Sequence, residues 1–422
     1  MKVAVETDVL QRIREQAAQR FEQLGWPTPR LEEWRYTNLA PVTRVEWKRA
    51  DAPVIGDPGL TYRTRALAEL VFVNGVFSSE LSDVATGFSP SRDRLKPVLQ
   101  VTTLRNASAE TLEQHFARYA DYETHAMVAL NTANAQDGAV IEVDDAREGF
   151  IHLLFVGTDG FASHPRNLII AGRASQLTVV ETYIGSGTYF TNAVTEIVAG
   201  DGAVVDHIKL QCESIGAFHV GTVQVHQERA SSVTQRCISI GAAIARTDVN
   251  VALTGEGASL TLDGLFAGTG TQHLDNHTVV DHVKPHCESI ELYKGVLDEA
   301  ARGIFDGRVI VREGAQKTVS RQENHNLLLS ATAVVDSKPT LEILNDDVKC
   351  NHGSTIGQLD EGAMFYLRSR GIGEDEARGL LIYAFASEIA DRIKVEPVRE
   401  QIRRTLFQSM PDRLPERRGG AQ

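Results

Sequence analysis

The sequence is short of cysteine and of positive charge, has no long apolar run, and carries none of the short motifs that mark the common nucleotide-dependent enzymes. Cys212, Cys237, Cys287 and Cys350 stand far apart with no C-x-x-C among them. That spacing excludes a disulfide framework and suits a reducing, cytoplasmic compartment. The longest apolar runs fall well short of the ~18 residues that a spanning helix needs. The N-terminus moves straight into Asp8, Arg12, Arg14 and Glu15 instead of a positive-then-apolar leader. No membrane partner is therefore expected. The formal net charge is −13, so nucleic acid, whose binding leans on a basic surface, is not an expected partner either. No G-x-x-x-x-G-K-[ST] occurs. Gly314-Ala315-Gln316-Lys317-Thr318 copies only its end and lacks the glycine next to the lysine. G-x-G-x-x-G after a strand, G-x-S-x-G and H-E-x-x-H are also missing. The chain is expected to have no ATP site of its own and no nicotinamide site built on those loops.

What is present divides the 422 residues into three parts, in line with a soft expectation of about 150 residues per domain. Residues 1–137 read as helical and irregular. Val9, Ile13, Ala17, Phe21 and Leu24 fall at helical spacing over 8–24, with Asp8 a candidate cap and Gly25 a stop. Trp26 to Thr37, with two prolines and two tryptophans, reads as an extended segment whose aromatics anchor it between helices. Residues 51–100 read as an irregular connection with one short strand signal at Leu70-Val71-Phe72-Val73. A second helix is expected over 107–120, capped by Ser108.

From 138 to 357 helical patterns vanish. Turns followed by a small residue and a β-run recur, as in Gly172-Arg173-Ala174-Ser175, Gly200-Asp201-Gly202-Ala203 and Gly255-Glu256-Gly257-Ala258. The first intervals are close to 28 residues. A weak repeat of strands without intervening helices points to a mainly β fold, a right-handed parallel β-helix (solenoid) flanked by the two helical parts. A β-sandwich is the alternative.

In 358–422 the helical period returns, with helices expected over 359–370, 374–393 and 396–409 and a mobile tail from Pro411 to Gln422. Ala377, Leu381, Ala384, Phe385 and Ile389 make an apolar stripe that Leu380, Ile382 and Tyr383 carry almost all the way round. A helix with so little polar face is buried on two sides, by its own domain or by a partner. Leu381, Phe385 and Ile389 are the candidate partner-binding residues.

Two stretches carry possible chemistry. Lys338 to Gly353 reads as strand, turn, strand, with Asn345-Asp346-Asp347 as the turn. Val348, Cys350 and His352 alternate onto one face of the second strand, and residues two apart on a strand lie roughly 6.5–7 Å from each other. A thiolate and an imidazole so placed can share a soft or borderline metal; equally, they can be a small buried cysteine beside a satisfied histidine. His273, His277, His282, His286 and Cys287 crowd into a second stretch whose spacing matches no strong zinc pattern. Metal ligation and polar coil edges are both open there. Cys212 and Cys237 read as core cysteines.

Several blocks follow one another in order: Ala315-Gln316-Lys317-Thr318, Asn324 to Ser330, Lys338-Pro339-Thr340-Leu341-Glu342-Ile343, Asp346-Asp347-Val348-Lys349-Cys350-Asn351-His352-Gly353, and Phe365-Tyr366-Leu367-Arg368-Ser369-Arg370-Gly371-Ile372. Together with His282, Pro285, Ser289, Tyr293-Lys294-Gly295 and Glu33-Trp34-Arg35-Tyr36-Thr37 upstream, they resemble the SufB/SufD family of iron–sulfur cluster assembly proteins. The Asp-Asp-Val-Lys-Cys-x-His-Gly block is closer to the SufD pattern, and Ala333 stands where SufB carries a functional cysteine. Asn351 stands where serine is common. The resemblance implies a scaffold, not an enzyme. It would pair with a SufB-like paralogue, capture a SufC-like ATPase through its C-terminal helices, contribute to iron acquisition, and use His352 and Cys350 as metal ligands for a transient iron–sulfur cluster or iron at the partner interface. Two other readings compete. One is a β-helix enzyme acting on polysaccharide, which needs clustered carboxylates, whereas the adjacent Asp346 and Asp347 would face opposite ways on a strand. The other is a purely structural partner without a metal site.

Overall fold

A computed structural model describes residues 2–53, 62, 65–84, 99–146 and 148–409, with side chains from 9 to 406. The tail from Pro411 to Gln422 and parts of the 51–100 connection lie outside the described residues. The protein is mainly β, with a β-solenoid of about seven turns over residues 140–357 and helices on either side.

Each coil gives one strand to each of two sheets, and the strands within a sheet are almost all parallel. Gln176, Val204, Ser232, Ser259, Glu288, Val319 and Lys349 stand in register on successive strands of the first sheet. A coil therefore takes 28 residues at first and 30 or 31 near the end. Parallel register stacks like positions along the solenoid axis, so each inward position forms a ladder. In the second sheet one ladder stays apolar throughout: Ile197, Val225, Val251, Val280, Val309 and Leu341. In the first sheet one ladder changes character. Leu177, Val205, Val233 and Leu260 give way to Ser289, Ser320 and Cys350.

The corners explain the weak repeat. Ala174, Gly202, Ala230, Gly257, His286 and Lys317 each take a positive φ. The next residue in each case, Ser175, Ala203, Ser231, Ala258, Cys287 and Thr318, is buried, and a strand follows. A small side chain is required there because the chain turns tightly over the core. Cys287 is one rung of that row of small residues.

Seven α-helices are described: α1 (Lys2–Leu24), α2 (Ala40–Thr43), α3 (Ala109–His115), α4 (Ala126–Asn134), α5 (Glu361–Ser369), α6 (Glu374–Asp391) and α7 (Glu396–Ser409). Ser108 caps α3 as expected, accepting from Thr111 N at 3.1 Å. That helix stops at His115, and Ala117 turns the chain with φ 56°. The reading missed α4 because Met127 to Thr132 are all buried, leaving no polar face to set a period. The connection over 51–100 contains strands that join the solenoid: Ala68–Val73 pairs in parallel with Ile151–Gly157.

Trp34 anchors between helices and the second sheet, in one cluster with Val42 of α2, Met127 and Leu130 of α4, and Phe190 and Val220. The Arg246 guanidinium lies 3.9 Å from its ring and pairs with Asp248 at 2.7 Å and Asp275 at 3.2 Å. Thr37 donates its hydroxyl to Asp275. Arg246 and Asp275 are buried, and their charges are paired, as burial demands.

One close approach sets a limit on the core. A Cβ on Gly264 would lie 2.1 Å from the ring of Tyr293, the next rung of its ladder. Gly264→Val is expected to destabilise the protein by about 1–3 kcal/mol through overpacking, seen as a lower denaturant midpoint. A midpoint at or above the wild type would show that Tyr293 can move aside.

Candidate functional site

The solenoid ends in two open edges. Val334–Ile343 and Lys349–Gly357 are the last strands of their respective sheets, each paired on one side only. The turn between them contains Asp346 and Asp347, both exposed. Asp347 is held by Lys317 at 2.7 Å, so the two aspartates do not face each other across a groove.

Strand parity places Cys350, His352 and Ser354 inward at this open mouth. Cys350 is half-buried and packs against the solenoid core. Ser354 Oγ lies 2.8 Å from Ser337 Oγ on the opposite sheet, and Ser337 donates to Asn324 Oδ1 at 2.8 Å. His352 lies between them on the same face and is exposed. Burial pushes the Cys350 thiol up, and a hydrogen bond from the Ser320 backbone pulls it part of the way back. Among the described residues, no three His, Cys, Asp or Glu side chains gather in a group that could hold a metal. Cys350 and His352 therefore do not make a complete ligand set within the described residues.

Behind the mouth the ladders are polar. Ser289 and Ser320 precede Cys350; Glu291 and Gln322 precede His352; Tyr293 and Asn324 precede Ser354. Gln322 Nε2 donates to Glu291 Oε2 at 2.7 Å. Burial raises the Glu291 carboxyl to about 7, against the pull of its hydrogen bonds with Gln322 and Thr278. Nothing local marks this row, because Glu291, Gln322 and His352 are about 30 positions apart and meet only through register.

The histidine-rich stretch is dispersed. His273 bonds Thr37 at 2.8 Å, and His277 faces Asp275 at 2.9 Å. His282 is buried on Ser289 at 2.9 Å. His286 takes a corner, and Cys287 fills the small-residue row. These residues act in packing and pairing.

The C-terminal expectation needs revision. Ile389 is fully buried, packed with Ile382, Ala386, Ile393, Val398 and Ile402 on the outer face of the first sheet. Phe385 is half-buried there, its ring 4.4 Å from Lys294 Nζ, and Lys294 donates to the Phe385 carbonyl at 3.1 Å. Leu381 is half-buried. Arg392 ties α6 to the buried Asp263 at 2.7 Å. The apolar girth of α6 is thus largely used within the chain. The free apolar surface is on α5, where no residue is buried and Phe365 and Tyr366 are 75% and 57% exposed.

Comparison with known proteins gives the family. A family model for the SUF system FeS cluster assembly SufBD core domain matches residues 154–385, and a model for the SufBD protein N-terminal region matches residues 3–148. The chain belongs to the SufBD family. Among its relatives, this SufBD protein is 32% identical to an iron-sulfur cluster assembly SufBD family protein of Synechocystis, over 96% of the chain and 92% of the relative. It is 28% identical to the iron-sulfur cluster assembly protein SufD of Escherichia coli, over 94% and 93%. With SufD of Bacillus subtilis it shares 27% identity over 93% and 92%. A role in iron–sulfur cluster assembly follows from that membership.

Glu291 also makes a pH dependence. An acid near 7 when folded and near 4.5 in an ordinary setting holds its proton in the native SufBD protein while the unfolded chain releases it. Stability is therefore fully present below about 4.5 and falls as pH rises through about 7. Glu291→Gln should flatten that fall, read as the difference in denaturant midpoint between pH 5 and pH 8. An unchanged difference would show that Glu291 ionises normally.

Proposed function

We propose that this SufBD protein is a non-enzymatic scaffold that meets a SufB-like paralogue through its open solenoid end, where iron or a nascent iron–sulfur cluster is cargo shared between the two chains. The observation that carries this reading is the coincidence of two unpaired strand edges with the inward pair Cys350 and His352. An edge of unpaired N–H and C=O groups is a template for another chain's strand. Imidazole is a good borderline ligand for Fe(II), and a thiolate adds soft character. The rise in the Cys350 thiol disfavours its thiolate until a metal displaces the proton, so His352 is the leading ligand and Cys350 the secondary one. The cytoplasm is the compartment that suits four free cysteines. Among the described residues no helix is long and apolar enough to cross a membrane.

The chain's second proposed partner is a SufC-like ATPase. Phe365 and Tyr366 on α5 give the C-terminal part an exposed aromatic face of the kind that anchors interfaces, while Leu381 and Phe385 on α6 are half-buried. ATP hydrolysis would then belong to the partner, and the purified chain should show no turnover above contaminating activity.

His352→Ala should leave folding and heterodimer formation intact but abolish iron and sulfide retention by the anaerobically co-expressed complex, with Cys350→Ser milder. A His352→Ala complex that melts normally and still carries wild-type iron and sulfide would remove the ligand role. If the complex instead merely loses stability, the purely structural reading is favoured.

Phe365→Asp should weaken ATPase capture by about 2 kcal/mol, roughly thirty-fold, in a binding titration. Ile389→Asp should instead loosen the helices from the solenoid and lower the melting midpoint. Normal capture by Phe365→Asp and Tyr366→Asp would place the docking surface elsewhere.

A further inference from the structure

The polar row behind His352 contains two oxygens whose hydrogen bonding is unfinished, Glu291 Oε1 and Gln322 Oε1, and Gln322 is the rung next to His352. Gln322 is fully buried, and its amide is fixed from below, since Nε2 donates to Glu291 Oε2 at 2.7 Å. Its Oε1 is buried and has no hydrogen-bond partner. A buried carbonyl left unmatched is costly, so such a group marks a place where a donor is expected. Two features show that the space is reserved for this amide. Gly307 faces it from the opposite sheet, and a Cβ there would lie 2.5 Å from Gln322 Nε2. Thr278, the rung before Gly307, lies by the other end of the pair at Glu291. In this orientation Nε2 meets Glu291 and Oε1 meets no partner.

The next rung of this ladder is His352. Neighbouring strands lie about 4.8 Å apart, so residues in register on one face are side-chain neighbours. An imidazole N–H is the one side-chain donor that this rung can supply.

We propose that Gln322, held by Glu291, is a positioning residue for His352: its Oε1 accepts the N–H of one ring nitrogen and so leaves the lone pair of the other directed out of the mouth. The two nitrogens of an imidazole differ in role, and the hydrogen bond made by one fixes the tautomer and orientation of the other. The solenoid interior thereby presets a ring that is exposed at its last coil. The inference rests on the reading of His352 as an iron-binding imidazole only for its purpose. The hydrogen bond needs no metal: the isolated chain can form it by a turn of the exposed His352 side chain.

The test is nitrogen-resolved NMR on the full chain labelled with 15N-histidine, with the His352 signals identified by their loss in His352→Ala. The wild-type ring should show one protonated and one bare nitrogen. Gln322→Leu and Glu291→Leu should give averaged nitrogens, while Glu291→Gln, which keeps an acceptor for Nε2, should hold the wild-type pattern. Gln322→Glu, which keeps an acceptor for the ring, should hold one protonated and one bare nitrogen, and this variant keeps the proposal testable if Gln322→Leu does not fold. An averaged His352 ring in the wild type or in Gln322→Glu, or nitrogen shifts unchanged in Gln322→Leu, would overturn the proposal. Loss of the iron-binding reading would appear separately, as wild-type iron in the His352→Ala complex.

Discussion

Parallel register is the constraint on which this molecule depends. Every inward residue of a coil stands beneath the equivalent residue of the next, so the chemistry of a position is set by a ladder and not by its neighbours in sequence. Within the stack each strand satisfies its backbone on both sides. At the last coil there is no next rung. The backbone of Val334–Ile343 and Lys349–Gly357 is left with open edges, and the inward row Cys350, His352 and Ser354 is left facing out of the mouth. The same rule that makes the solenoid stable thus makes its end incomplete.

The incompleteness is prepared several coils earlier. In the first sheet the ladder that begins Leu177, Val205, Val233, Leu260 ends Ser289, Ser320, Cys350, and the row beneath His352 holds Glu291 and Gln322. Buried polar groups add no hydrophobic stabilisation and cost stability unless matched. Buried polar groups also fill the middle coils, at Glu181, His207, Lys209, Glu213 and His219; those below the mouth are the ones in register with His352. The opposite face of the first sheet has a different use: Ile208, Leu210, Ile238, Leu265 and Leu292 receive α6 and α7. One sheet therefore joins the proposed metal end and the helical docking part through a common set of strands.

Much of this was legible in the sequence, for stated reasons. Alternation alone put Cys350 and His352 on one face, and it did so because strand parity is local. The repeat of turn and small residue survived because tight corners tolerate little else, as Ser175, Ala203, Ser231 and Ala258 show. What failed needed tertiary information. The girth of α6 announced burial on two sides, but periodicity cannot say whether the cover is the chain's own sheet or a partner, and Ile389 proves to face the sheet. The α4 helix had no polar face to reveal its period. The crowding of His273 to Cys287 in sequence dissolved because a strand sends alternate side chains to opposite sides and a corner separates His286 from both.

The central claim is that the open end of the solenoid is where a paralogous chain binds. Amide hydrogen exchange on residues 334–357, measured in the free chain and in the complex with a SufB-like partner, tests it directly. The expected result is strong new protection in these two strands, with little change in the coils before them. Exchange in 334–357 that is the same with and without the partner, in a complex shown to be intact, would contradict it.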